Sequence, residues 1–367
     1  MTSQVQSPQP KVPKSEPAAS ARTLGRSAGP MTWCVLAALL FGASTPASKP
    51  LLEYFSPLLL SGLLYLGAAL AVAPWALRNL GAIRTTSRRS ALRLAGAVLF
   101  GGIVGPVLLL TGLSMANAAS VALWLNLETV ATALLARYFF QEHLGTRTWL
   151  AVAIIVIASV ALSGASIGAV VPGLLVAGAC LAWGLDNNLT AVIDEFTPAQ
   201  ITFAKGLVAG IVNTAVGLTF QQGTFALALV GPALGIGALA YGASILFYVA
   251  GAQQLGATRS QLIFSTAPAW GIALAWGALG EPIEEAQIVA AGLMAFAIWL
   301  WQSEQHGHSH VHSKVTHTHS HRHDDGHHEH DHAGAVDPGS WHSHQHTHQP
   351  TEHSHGHQPD LHHRHEH

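Results

Sequence analysis

Charged residues are scarce in this chain. Asp, Glu, Lys and Arg make up 10% of its 367 residues and half of all residues are hydrophobic, whereas a typical soluble domain is about a quarter charged. Ten apolar stretches of about the length needed to cross a bilayer follow one another. No soluble helical core needs ten in succession, so we predict an all-α polytopic membrane protein with ten transmembrane helices. The stretches are residues 31–49, 56–76, 91–113, 117–139, 146–163, 169–191, 198–219, 230–252, 257–278 and 284–301.

The chain has only two cysteines and contains no recognisable catalytic motif. Cys34 and Cys180 each lie inside an apolar stretch and are interpreted as free buried thiols rather than parts of a disulfide framework. The sequence contains no nucleophile–base constellation, no phosphate-binding glycine loop and no ATPase motif. It therefore predicts neither an enzyme, nor a nucleic-acid-binding protein, nor an ATP-driven pump. The remaining ways to move a solute are transport coupled to an ion gradient and facilitated diffusion.

A polar N-terminal tail precedes the apolar body. Residues 1–30 are rich in Ser, Pro and Ala and lack the apolar core of a secretory signal peptide, so a disordered tail is predicted. With this tail in the cytoplasm, the cytoplasmic loops hold eight arginines and the opposite side holds only Lys49. Both termini are therefore predicted to be cytoplasmic, in a protein of the inner or plasma membrane. The arginines are Arg78, Arg84, Arg88, Arg89, Arg93, Arg137, Arg147 and Arg259.

The apolar body contains an internal repeat. A shift of 139 residues without a gap places Gly112 on Gly251 and Glu142 on Glu281. Each copy holds five predicted helices, in residues 31–163 and 169–301. Because five is odd, the second copy is expected to be inverted relative to the first. Such inverted repeats place a substrate site near the membrane midplane and permit alternating access.

Motifs within the two copies resemble those of a known family. They are the segments 125–128 (LNLE), 141–144 (QEHL) and 279–282 (LGEP). Together they resemble the EamA pattern of the drug/metabolite transporter superfamily, over about residues 31–301. The resemblance implies ten helices and secondary transport, often export, of a small metabolite without a cofactor.

Glu128 is the ionisable residue predicted nearest the middle of the membrane, where such groups are costly and usually functional. Desolvation at that depth favours a protonated carboxyl, which suits proton coupling. A carboxyl that is hydrogen-bonded to a neighbouring helix is the structural alternative. Trp124 lies four residues earlier on the same helix face, so we expect Trp124 and Glu128 to contact the substrate. Asn126 offers an amide on a different face.

A second polar group is predicted near the ends of the sixth and seventh spans. Asp186 and Lys205 would each lie roughly 10 Å deep, at 1.5 Å per residue. An ion pair is therefore expected, either as a pin between two helices or as part of the transport path. Asn187 and Asn188 are expected to line the cavity.

Histidine is missing from every predicted span, yet 23 of the 24 histidines follow residue 304. Imidazole is the commonest side-chain ligand for borderline transition metals. Residues 302–367 are too polar to bury a core, so we predict a disordered tail that binds Zn(II), Ni(II) or Co(II) through overlapping His-x-His pairs. The absence of cysteine disfavours Cu(I). The predicted ligands are His306, His308, His310, His312, His317, His319, His321, His323, His327, His328, His330 and His332.

Two functions are consistent with these observations. The first is an exporter of a small solute whose cytoplasmic tail senses or buffers metal. The second is an efflux carrier for divalent Zn, Ni or Co whose tail collects the ion, although the spans lack histidine ligands. A membrane-anchored metal buffer is a third reading. The expected partners are the lipid bilayer, the solute or metal ion and a coupling proton, and a homodimer is left open.

Overall fold

The computed structural model describes most of the apolar body and four segments of the C-terminal tail. The predicted N-terminal tail lies outside the described residues up to residue 27, as do His323, His327, His328, His330 and His332. The described residues are 28–78, 87–140, 145–164, 168–190, 193, 196–221, 226–255, 263–303, 306–312, 315–321, 342–348 and 351–357.

The described part of the apolar body is all-helical. Its α-helices are α1 Ala28–Gly42, α2 Ser44–Ser48, α3 Pro57–Ala76, α4 Arg88–Ala97, α5 Gly105–Met115, α6 Ala118–Trp124, α7 Leu127–Phe140, α8 Thr146–Gly164, α9 Val170–Thr190, α10 Pro198–Phe220, α11 Val230–Gly237, α12 Ser244–Leu255, α13 Ala267–Ala278 and α14 Glu285–Gln302. Short 3-10 helices cover Pro50–Glu53 and Leu227–Leu229, and π-helical segments cover Val98–Val104 and Ala238–Ala243.

Eight of the helical stretches in the described residues are long and apolar enough to cross a membrane. Two further predicted spans are shorter. The ninth is represented by α13, and residues 257–262 of that prediction lie outside the described residues. The tenth is an apolar helix over Glu285–Leu300. The polytopic architecture is therefore confirmed, whereas the count of ten stays a prediction. The eight stretches are Gly29–Glu53, Pro57–Ala76, Arg88–Met115, Ala118–Phe139, Thr146–Ser163, Val170–Thr190, Pro198–Phe220 and Leu227–Gly251.

The second helix of each sequence copy begins in the same way. Ser56 caps α3 by accepting the N–H of Leu59, and Thr197 caps α10 by accepting the N–H of Gln200; a proline follows each cap. Proline suits this position because its ring fixes φ and the missing N–H would be unpaired anyway.

Helices α3 and α10 pack closely in antiparallel directions. A Cβ on Gly206 would lie 2.8 Å from the carbonyl oxygen of Tyr65, and a Cβ on Gly217 would lie 2.5 Å from the amide nitrogen of Leu59. These glycines permit backbone contact between the two helices, as small residues do in membranes. The matched N-termini therefore lie at opposite ends of the pair.

The π-helical segments also occupy corresponding positions in the two copies, since Val98 and Ala238 are 140 residues apart. A π-helical turn departs from the regular hydrogen-bond pattern, and Pro106, just after the first segment, has no N–H to donate to the carbonyls of the preceding turn. The carbonyl of Gly101 accepts hydrogen bonds from Tyr65 Oη and Trp183 Nε1, and that of Gly102 accepts one from Asn213 Nδ2 at 3.1 Å. Side chains of three other helices thus satisfy the freed carbonyls.

The fourth and ninth predicted spans are interrupted at corresponding positions. Helix α6 ends at Trp124 and α7 begins at Leu127. In the second copy a turn at residues 265–266, 140 positions later, precedes α13. The proline at 268 therefore starts a helix within the ninth span.

The core and the lipid-facing surface are both apolar. The main buried cluster contains Trp124, Phe55 and Leu113. Large apolar side chains such as Leu70 and Leu174 are exposed. Outward-facing apolar side chains are expected of helices that contact lipid rather than water.

Four tail segments form strands, which differs from the predicted disorder of residues 302–367. Strand β1 (His306–His312) pairs antiparallel with β4 (Thr351–His357), and β2 (Val315–His321) pairs antiparallel with β3 (His342–His348). His-x-His alternation has the two-residue period of a strand, and the intervening Thr and Val favour extended backbone. The alternating pattern thus agrees with strand pairing, which low apolar content alone does not reveal.

Candidate functional site

A cavity of about 70 Å³ lies where the two interrupted spans meet α1 and α2. It is bounded by the end of α1, the break between α6 and α7, and the residues that precede and begin α13. The polar side chains on its wall are those of Thr45, Asn126, Glu128, Thr129 and Ser265. Interrupted helices at matching positions in two repeats are a recognised marker of a transporter's binding site.

A larger open groove of about 540 Å³ lies at the surface, lined by Arg88, Arg89, Arg93 and two leucines. It is shallow and away from both helix breaks. The smaller cavity is the better candidate because a carboxylate, an amide and hydroxyls converge there.

Glu128 lies in the first turn of α7 and is partly exposed. Its Oε1 accepts a hydrogen bond from Asn187 Nδ2 at 3.0 Å, and the same amide group donates to Thr132 Oγ1 at 3.2 Å. A carboxylate is also favoured electrostatically at a helix N-terminus. Glu128 is thus held between α7 and α9 while it contributes to the cavity wall.

The structure does not bring Trp124 to this cavity with Glu128. Trp124 is 1% exposed in the core, and its Nε1 donates to the carbonyl of Ser159 on α8 at 3.2 Å. The break at residues 125–126 removes the i to i+4 relationship on which the prediction depended. The same break brings Asn126 to the cavity wall, where its Nδ2 donates to the carbonyl of Leu123 at 2.9 Å.

Asp186 and Lys205 form the predicted ion pair. Asp186 is buried and also accepts a hydrogen bond from Thr190 Oγ1 at 3.1 Å. A Cβ on Gly101 would overlap the Asp186 carboxylate, so the pair packs directly against the first π-helical segment. The pair therefore joins α9 and α10 to that segment, outside the wall of the central cavity.

The two asparagines after Asp186 have different surroundings. Asn187 is exposed and bonds Glu128. Asn188 is buried, and its Nδ2 donates to the carbonyls of Gly184 at 2.8 Å and Thr132 at 3.2 Å. Neither asparagine lines the cavity as predicted: Asn187 contacts the site through Glu128, whereas Asn188 braces two helices.

Thr45 is a candidate site residue that the sequence analysis missed. It lines the cavity and is 1% exposed, and its Oγ1 has no hydrogen-bond partner among the described residues. Helical threonines ordinarily bond a carbonyl of the preceding turn, and an unpaired buried hydroxyl is costly. A polar group in the cavity would satisfy it. The sequence feature that pointed to it is the run of small and polar residues at 42–48. Such a run also fits close helix packing, so it did not identify a site.

The described side chains contain no group of three or more His, Cys, Asp and Glu residues placed to hold a metal. The tail nevertheless has a regular backbone register, in which histidine lies opposite histidine. The facing pairs are His306 and His357, His308 and His355, His310 and His353, His317 and His346, His319 and His344, and His321 and His342. Directly opposite residues of an antiparallel pair share a face, and so do alternate residues along one strand. Each ribbon therefore brings three pairs of histidines into direct backbone register.

Comparisons with known proteins agree with this architecture. The EamA-like transporter family matches residues 29–164 and again residues 172–301, which confirms the resemblance seen in the sequence. A relative from Methanothermobacter thermautotrophicus, described as an uncharacterized transporter, is 25% identical over 290 residues, which cover 72% of this chain and 84% of the relative. A solved crystal structure aligns with a TM-score of 0.54 at 17% identity over 74% of this chain and 96% of its own chain. That alignment supports the fold alone.

Proposed function

Because the chain belongs to the EamA-like transporter family, we propose that this integral membrane protein is a secondary transporter that binds a small solute in the cavity at the two helix breaks. The observation that carries the proposal is the convergence of Thr45, Asn126 and Glu128 at those breaks. Half-helix ends and side chains of this kind can replace the water that surrounds a polar solute.

The internal symmetry supports alternating access. The family matches the chain twice, α3 and α10 run antiparallel, and the π-helical segments and helix breaks recur about 140 residues apart. We infer ten spans arranged as two inverted five-helix repeats. The cavity of about 70 Å³ is smaller than the roughly 300–1,000 Å³ of typical small-molecule sites. It must therefore widen during transport.

Glu128 is the proposed site of proton coupling. It is the carboxylate that the described residues place on the cavity wall. Asn187 engages its first oxygen, and its second oxygen has no hydrogen-bond partner among those residues. Asp186 neutralises Lys205 nearby. A proton on Glu128 would change the charge of the site in step with binding of the solute.

The proposed orientation has both termini in the cytoplasm and export as the direction. Arg88, Arg89 and Arg93 surround the groove at one end of the helical body. Lys49 lies at the other end, beside the loop between α5 and α6. The uneven distribution of basic residues favours the arginine-rich end as cytoplasmic. Export rests on the family's usual direction.

The tail is proposed to bind Zn(II), Ni(II) or Co(II) in the cytoplasm and to sense or buffer the ion. The facing histidines of the two ribbons support this role, since neutral imidazoles are good ligands for these metals. A metal efflux carrier is the alternative. The cavity favours a small solute, because its wall offers a single carboxylate and no imidazole in the described residues.

Transport by purified protein in proteoliposomes tests the proposal. We expect uptake or counterflow of a solute from a panel of metabolites, with the rate responding to an imposed proton gradient. Glu128→Gln should abolish this response and lower transport at least about tenfold, as expected for a lost charge-assisted interaction. Glu285→Gln makes the same chemical change at an exposed position and should leave transport unchanged.

The same assay separates the alternatives. Saturable transport of Zn(II), Ni(II) or Co(II) that Glu128→Gln abolishes would establish the efflux carrier instead. No transport of any solute, combined with metal binding that is lost only when the tail is removed, would establish the membrane-anchored buffer.

A further inference from the structure

The loop between α5 and α6 is held at one end of the helical body by two charged side chains, from Lys49 and Glu281. Lys49 Nζ donates to the carbonyl oxygens of Leu113 at 2.6 Å and Ala116 at 2.8 Å. These carbonyls lie at the C-terminus of α5, where helix carbonyls lack intrahelical donors and a positive charge is favourable.

Glu281 binds the other side of this loop. Its Oε1 accepts the N–H of Ala118 at 2.7 Å, and its Oε2 accepts the N–H of Ala119 at 3.0 Å. Asn117 occupies the N-cap position of α6 without a capping bond from its own side chain, and its Nδ2 donates instead to Glu284 Oε1 at 3.3 Å. The cap of α6 therefore comes from a distant part of the chain. We call Lys49, Glu281 and residues 113–119 the clamp.

The backbone after α13 turns at Gly280, which brings Glu281 to the clamp. Gly280 has a φ of +64°, a conformation that glycine adopts without the strain a side chain would add. Gln287, at the start of α14, is fully buried and adds a second link to α6. Its Nε2 donates to Ser120 Oγ at 3.1 Å, and its Oε1 accepts from Trp276 Nε1 at 3.1 Å.

The clamp is connected directly to the cavity. Helix α6 starts at Ala118 and ends one turn before Glu128, and it packs against α13. On the clamp side of the cavity, Thr45 and Ala122 are buried, whereas Glu128, Phe264 and Ser265 on the other side are partly exposed. The cavity wall at Thr45 and Ala122 is therefore less accessible than the wall at Glu128, Phe264 and Ser265.

We propose that Glu281 is a positioning residue for the transport cycle, because its two hydrogen bonds to α6 hold the clamp side of the cavity closed. Release of these bonds lets the α5–α6 loop and α6 move away from α2 and opens the cavity at this end. This inference rests on the proposed transport function, since a gate has a role only in a protein that alternates between two openings.

Side-specific cysteine labelling tests the gate. Thr45→Cys is placed in a background with Cys34→Ala and Cys180→Ala, and a membrane-impermeant maleimide is added to sealed vesicles of either orientation. Glu281→Gln keeps one acceptor oxygen but sets an amide NH₂ against the second N–H. We expect about tenfold faster labelling from the clamp side, the equivalent of about 1.4 kcal/mol. Glu285→Gln is the matched control and should label at the original rate.

Equal labelling of Glu281→Gln and the parent from both sides would overturn the gate. If Glu281→Gln does not yield folded protein by gel filtration, Lys49→Met is measured in its place and the same acceleration is expected. An unchanged rate in folded Lys49→Met then overturns the proposal. The labelling needs no solute, so a faster rate without any detectable transport would support the clamp and contradict the proposed function.

Discussion

Asn187 Nδ2 lies 3.0 Å from Glu128 Oε1 and donates a hydrogen bond to it, joining the second sequence copy to the first at the edge of the cavity. The neighbouring Asn188 makes two bonds to backbone carbonyls instead. The same substitution can therefore be made at Asn187, which contacts the site, and at Asn188, which links two helices.

We expect Asn187→Ala to lower the transport rate about tenfold, because it removes the hydrogen bond to the Glu128 carboxylate. Stability should change little, because the Asn187 side chain is exposed. Asn188→Ala should lower the unfolding temperature and leave the transport rate per folded molecule close to normal. Initial rates in proteoliposomes and thermal unfolding in detergent measure the two effects. The assignment is wrong if the two variants behave alike.

Thr45→Val should weaken solute binding without destabilising the protein. The change replaces a buried hydroxyl, which has no partner among the described residues, by a methyl of similar shape. We therefore expect an unchanged or higher unfolding temperature and a KM raised about fivefold to tenfold, the cost of roughly one hydrogen bond. Thr45→Ser keeps the hydroxyl and should keep the KM. A normal KM in Thr45→Val would remove Thr45 from the site.

Gly101→Ala should destabilise the protein. The new Cβ would overlap the Asp186 carboxylate and push it away from Lys205, and such overpacking costs about 1–3 kcal/mol. Gly277→Ala is the matched control in α13, since its Cβ would meet nothing within 4 Å; alanine there should be neutral or stabilising, because it forms helix better than glycine. Thermal unfolding of the purified variants distinguishes them. Equal unfolding temperatures would contradict the packing described at Gly101.

The facing histidines of the tail should carry most of its metal affinity. Asparagine replaces six histidines that lie opposite one another across the ribbons (the rung set), or six histidines beyond the four described strands (the control set). Zn(II) binding to the full chain is then measured by calorimetry at neutral and mildly acidic pH. We expect the rung variant to lose more sites and affinity. All binding should weaken at acidic pH, because a protonated imidazole cannot bind a metal. The rung set is His308, His310, His353, His355, His319 and His344, and the control set is His323, His327, His328, His330, His332 and His362.

If the two variants bind Zn(II) equally, the register of the ribbons does not select the ligands. The sequence-based prediction of many interchangeable His-x-His pairs would then stand for the tail.

The ion pair and the broad architecture could be predicted because they depend on features that are local in the sequence. Asp186 and Lys205 had to find partners within an apolar environment, and their depths in the predicted spans matched. The break in the fourth span could not be predicted in the same way. Leu125 and Asn126 include neither glycine nor proline, so the uninterrupted pattern placed Trp124 and Glu128 on one face.

The sequence by itself determined that this is a polytopic membrane protein with two related halves and a histidine-rich tail, because hydropathy, repetition and composition need no knowledge of which residues meet. Only the tertiary structure decided that Trp124 packs in the core, that Thr45 joins the cavity wall and that Glu281 caps α6. Those outcomes depend on backbone breaks and on contacts between residues more than 100 positions apart. The physical reason is that a buried polar group takes whichever partner the packed helices bring within hydrogen-bonding distance.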